Sequence, residues 1–166
     1  MTYLRDNSFL KNLLQFVPIT FLFISVFNEF DANYFGIPFL SFNFAFILIF
    51  FWTLKKIDHF GYGYIFLAGI INDVVTGAPI GLSSFSYMLI CLATSYFRSI
   101  TLRPNVTKDW IFFLITISCV NSFSYIILSY FFSADIDYRF LLTNNFATFL
   151  IFFLFYLIFY IYYKKF

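Results

Sequence analysis

From Trp110 to Phe132, and again from Phe140 to Tyr163, the chain carries no charged side chain. A bilayer core of about 30 Å needs roughly 20 apolar residues in a helix rising 1.5 Å per residue. Each stretch is therefore long enough to span. Of 166 residues, 62% are hydrophobic and 11% charged, with a mean hydropathy of +0.87; soluble domains hold about a quarter charged residues. The chain reads as an all-α polytopic membrane protein. Phe supplies 30 residues and Tyr 13, against only 6 Gly. Helix contacts should thus rest on aromatic rings, with close backbone approach confined to a few places.

Leu13 to Phe27, extended back to Phe9, and Ile37 to Leu54 supply two further spans. Tyr62 to Phe97 holds 36 residues without a basic side chain, which as one helix would reach about 54 Å. That is too long for one crossing. Gly77, Pro79 and Gly81 are the residue types that end one helix and start another, so the stretch divides at Thr76 to Gly81. Six spans result, at about 9–27, 37–54, 60–75, 82–97, 110–132 and 140–163, in a single transmembrane domain.

Charge placement tests this division separately, because short loops rich in Lys and Arg stay cytoplasmic. With both termini inside, Arg5, Lys11, Lys55, Lys56, Arg98, Arg103, Lys108, Lys164 and Lys165 all lie inside, and Arg139 alone lies outside. Five spans would move Arg98, Arg103 and Lys108 outside, so a reversal is required between Lys56 and Arg98. A re-entrant pair of half-helices in place of the third and fourth spans would satisfy the charges equally. Trp110, Tyr156, Tyr160, Tyr162 and Tyr163 sit near span ends, where amphipathic rings favour the headgroup level.

Several function classes are disfavoured. A net charge of +2, with no Lys/Arg run above two residues, does not suggest nucleic-acid binding. Cys91, Cys119 and His59 lack metal-ligand spacing. Arg5 and Lys11 precede an apolar stretch with no small-x-small cleavage site, which suggests a retained first span. No hydrolase triad, HExxH or phosphate loop is present, and neither enzyme activity nor a cofactor is expected.

Within the spans, Ser118, Ser122, Tyr125 and Ser129 share one helical face, widened by Asn121 and Ser124. They suit either interhelical hydrogen bonds or the lining of a polar cavity, and Asn144 and Asn145 fit the same description or the outer interface. Asp73 differs in kind, since a carboxylate at membrane depth is costly. It could sit hydrated near the outer headgroups, accept hydrogen bonds from free N–H groups at the start of the fourth helix, or carry proton or ion chemistry.

The run from Phe66 to Leu82, FLAGIINDVVTGAPIGL, resembles the signature of the MreD family, small inner-membrane rod shape-determining proteins of bacteria. Gly69, Asp73, Thr76, Gly77, Pro79 and Gly81 match that pattern in register, and the loop with Arg98, Arg103 and Pro104 is also similar. The resemblance implies a non-enzymatic scaffold of the cell-elongation machinery in the inner membrane, surrounded by membrane lipids. It would bind MreC, and with it the RodA glycosyltransferase, a class B penicillin-binding protein and MreB. MreD is also similar in fold to the substrate-binding S components of energy-coupling-factor vitamin transporters, which supplies an alternative function. Against that alternative, Leu13 to Phe27 lacks the Ala-x-x-x-Ala docking pattern, and the outer loops are short. Leu at Gly77 or Gly81 should misfold the hairpin, and Asp73→Asn should be milder if the acid only caps.

Overall fold

Long apolar runs satisfy their backbone groups within the segment when they coil into helices, and the computed structural model follows that rule. It describes residues 17–26, 42–55, 61–101, 105–133 and 138–165. Among the described residues there are six helices and no strand: α1 (Val17–Val26), α2 (Phe44–Lys55), α3 (Tyr62–Thr76), α4 (Leu82–Ile100), α5 (Val106–Phe132) and α6 (Tyr138–Lys165). Val106–Phe132 and, within α6, Leu141–Ile158 are long and apolar enough to cross a membrane. The helices α1, α2 and α3 are apolar but shorter. At 15 residues, α3 is only about 22 Å long.

The helix ends fall partly beyond the expected spans. α4 runs on to Ile100 and α5 starts at Val106, where the Asn105 side chain accepts a hydrogen bond from the Thr107 N–H at 3.0 Å. Charged residues marked the expected limits at Phe97 and Trp110. They end the apolar stretch but not the helix, because Arg98, Lys108 and Asp109 are compatible with helical backbone and the Asn105 cap sets the actual start. The residues before Val17, residues 27–41 and the loops holding Lys56, His59, Arg103, Pro104, Asp135 and Asp137 lie outside the described residues. So do the side chains of Tyr160, Tyr162, Tyr163, Lys164 and Lys165.

The helices α2, α4, α5 and α6 close a ring of contacts, α2 on α4, α4 on α5, α5 on α6 and α6 on α2, while α3 packs on α4. In α2 every residue from Ala45 to Trp52 is buried. A helix apolar all round belongs inside a bundle. Rings form much of the core: Phe50 meets Phe113 at 5.0 Å and Phe152 at 5.5 Å, and Phe113 stacks on Phe152 at 4.1 Å. Offset and edge-on arrangements of this kind suit the ring quadrupoles.

Two rings expected at the membrane interface are drawn inward. Trp110 stacks on Phe149 at 4.4 Å, and its Nε1–H donates to the Phe149 carbonyl at 3.0 Å. Tyr156 is buried. The polar face of α5 divides between two environments. Asn121 donates to Asn145 on α6, and Ser124 pairs with Ser86 on α4 at 2.8 Å, while Ser122 and Ser129 are exposed. Asn145 is accordingly buried in the bundle.

Candidate functional site

The hairpin between α3 and α4 brings the six motif residues together around Asp73. The backbone carbonyl of Asp73 accepts from the Gly77 N–H and from the Ala78 N–H, the latter at 3.0 Å, which closes the C-terminus of α3. Gly77 achieves this in the left-handed region, at φ 69°, the usual solution at a helix end. Thr76 donates its hydroxyl back to the Asn72 carbonyl at 2.9 Å. The Pro79 carbonyl then accepts from Leu82 N–H at 3.1 Å, turning the chain into α4.

The Asp73 carboxylate acts on the other helix. Its Oδ2 accepts from the Gly81 N–H at 2.7 Å and its Oδ1 from the Ser83 N–H at 2.8 Å. Those donors sit at a helix N-terminus, where no intrahelical acceptor exists and negative charge is favoured. One residue thus ends α3 with its carbonyl and opens α4 with its side chain. It is fully buried, so the hydrated position near the headgroups does not describe it.

Phe66, Gly69 and Asp73 lie at i, i+3 and i+7 on one face of α3, and that face meets α4. The Ser84 hydroxyl donates to the Phe66 carbonyl at 3.0 Å, and Asn72 Nδ2 donates to Ser83 Oγ at 2.9 Å. At Gly69 the Ser84 backbone fills the space that a Cβ would occupy. The sequence reading did not single out Ser83 and Ser84. Their position directly after the helix-opening Gly81 was the available signal.

Gly81 has φ 101°, beyond the left-handed well that Asn or Asp tolerates. Gly81→Ala is expected to destabilise by about 1–3 kcal/mol, whereas Gly77→Asn, at an ordinary left-handed angle, should cost less than 1 kcal/mol. Thermal unfolding in detergent, followed by helicity, would rank the two. Equal midpoints would show that the turn relaxes at no cost.

A second polar cluster lies at the opposite end of α4, and the sequence reading assigned it no role. Tyr156 donates its hydroxyl to Asp109 Oδ2 at 3.1 Å, and Lys55 Nζ approaches that hydroxyl at 3.5 Å. The ammonium lies over the rings of Phe51 and Tyr156, 5.8 and 5.4 Å from their centroids, within cation–π range. Lys55 stands just beyond the expected second span, whereas Asp109 lies in the first turn of α5. Burial pulls the Lys55 ammonium below its ordinary pKa, against the pull of Asp109. Arg98 Nη1 donates to the Thr53 carbonyl at 2.9 Å, near the end of α2. Leu54, Lys55, Arg98, Thr101 and Asp109 line a cavity of about 240 Å³.

Among the described residues, no three His, Cys, Asp or Glu side chains gather where a metal could be held. Cys91 is buried with its sulfur 3.5 Å from Thr53 Oγ1, and Cys119 is exposed.

Residues 10–166 match the family model described as rod shape-determining protein MreD. No curated protein and no solved structure matches the chain, and the expected similarity in fold to transporter S components is not shown.

Proposed function

Because the chain belongs to the MreD family of rod shape-determining proteins, we propose that it is a non-enzymatic scaffold that binds MreC within the inner membrane. Through MreC it joins the RodA glycosyltransferase, a class B penicillin-binding protein and the MreB filament system, and so maintains rod shape. The observation that carries this reading is the family match over nearly the whole chain. A role in rod-shape determination comes with membership of the family. The named partners, the six spans and the cytoplasmic termini belong to the proposal.

The character of the outer surface supports a contact function in lipid. Ile111, Ile115 and Ile126 on α5, and Leu142, Phe146 and Leu150 on α6, are exposed apolar side chains, suited to acyl chains or to partner helices. Helix association in a bilayer rests on packing and a few interhelical hydrogen bonds, and this surface offers the first. In this scheme the Gly69-to-Gly81 hairpin sets how α3 lies on α4 and hence which faces remain for partners.

Co-purification from detergent-solubilised membranes provides the test. MreC is expected to be recovered with the tagged chain, and radiolabelled vitamins are expected not to bind. Nanomolar vitamin binding with no MreC recovered would favour a transporter S component and overturn the scaffold reading.

A further inference from the structure

α5 outruns both helices it packs against. On one side Ser124 pairs with Ser86 and Phe112 stacks on Phe97, a constant antiparallel register that sets Leu82, the first residue of α4, opposite Leu128. On the other side Asn121 meets Asn145 and Phe113 stacks on Phe152, which sets Tyr138, the first residue of α6, opposite the same Leu128. Past that level α5 runs on from Ser129 to Phe132, for about 6 Å or one turn. Tyr130, Phe131 and Phe132 are 82%, 72% and 56% exposed. Successive helical side chains point about 100° apart, so these rings face three different directions.

We propose that this turn anchors the chain at the headgroup–acyl boundary of one leaflet, with the three rings as a collar in the lipid. The directions of the rings favour lipid over protein. A partner helix or a second copy would cover one flank of the turn, whereas a fluid interface surrounds it. Tyr130 presents an apolar ring with a hydroxyl suited to the headgroup level, and the two Phe rings suit the adjoining acyl chains. Distance along α5 supports the same depth. About 20 residues back from Phe131, the roughly 30 Å of a bilayer core, stands Ile111, and the register with α4 places Arg98 opposite it. Asp109 and the exposed Lys108 follow within the next turn. Charge thus begins one core thickness away from the collar, at the other boundary. The proposal rests on α5 crossing a bilayer and does not depend on MreC binding.

Tryptophan substitution in phosphatidylcholine vesicles tests this placement. The full chain carries Tyr130→Trp, Phe131→Trp or Phe132→Trp, one at a time, with Phe123→Trp as a reference about 12 Å deeper along α5. Each exchange retains an aromatic ring at an exposed position. Emission is read as the difference from the wild-type chain, which holds Trp52 and Trp110. Lipids brominated just below the headgroup are expected to quench each tip variant at least about twofold more than lipids brominated near the chain end, with the reverse order for Phe123→Trp. The tip variants should also agree with one another within about twofold. Shielding of one ring from both lipids would overturn the collar and point to a protein partner or a second copy on that flank. Stronger quenching of the tip by aqueous iodide than by either lipid would place it in water, and stronger quenching by the deep bromines would place it in the core; either result sinks the proposal. Failure of both lipids to quench Phe123→Trp would remove α5 from the bilayer, and with it the membrane crossing on which the collar rests.

Discussion

Gly69→Leu is expected to leave the protein unable to fold in detergent, and Gly69→Ala to lower its stability by about 1–3 kcal/mol, the usual cost of overpacking. A Cβ at position 69 would lie 2.5 Å from the Ser84 backbone nitrogen and closer still to its Cα. A flexible side chain could move aside, but the obstacle here is backbone. Relief would require α3 to separate from α4, breaking the Ser84–Phe66 and Asn72–Ser83 hydrogen bonds and pulling Asp73 from its two donors. Gly63 lies in the same helix with nothing within 4 Å of its Cβ position, so Gly63→Ala should be neutral or stabilising by up to about 1 kcal/mol. Helicity-monitored unfolding of the two alanine variants provides the comparison. An unchanged midpoint for Gly69→Ala would show that the contact with α4 is loose.

Substitution of Asp73 should rank second, with Ala worse than Asn. Asp73→Ala leaves the N–H groups of Gly81 and Ser83 without their acceptor, at about 1–3 kcal/mol for each buried donor. Asp73→Asn keeps one oxygen but turns an amide NH2 toward the other donor, so about half of that loss is expected, together with the loss of negative charge at the α4 N-terminus. The two-oxygen geometry thus makes Asn a costlier replacement than a cap with a single acceptor would suggest. Unfolding midpoints and MreC recovery should fall together across the series. If Asp73→Asn kept its stability and its MreC binding yet produced round cells, Asp73 would have a role beyond holding the hairpin.

How far the chain can be read without its fold varies from element to element. The break between α3 and α4 was legible because Gly77, Pro79 and Gly81 act through local backbone geometry, which is written residue by residue. Charge placement asked for a reversal in the same region on other grounds. Tyr156 shows the opposite case. A tyrosine near a span end suits the headgroup level, and only the packing of α6 against α2 and α5 puts its hydroxyl between Lys55 and Asp109. The polar face of α5 was legible as a period, but not in its division into bonded Asn121 and Ser124 and exposed Ser122 and Ser129.

The sequence by itself determined the apolar all-helical character, the place of the hairpin and the family, because hydrophobic run length, turn chemistry and a dense local motif act over a few residues at a time. Only the tertiary structure decided which oxygens and donors meet at Asp73, why position 69 must be Gly, and that residues from α2, α4, α5 and α6 converge around Lys55, Arg98 and Asp109. Those relations join residues far apart in the chain, as Lys55 and Tyr156 are. They depend on the distance and rotation between packed helices, which a helical period leaves open.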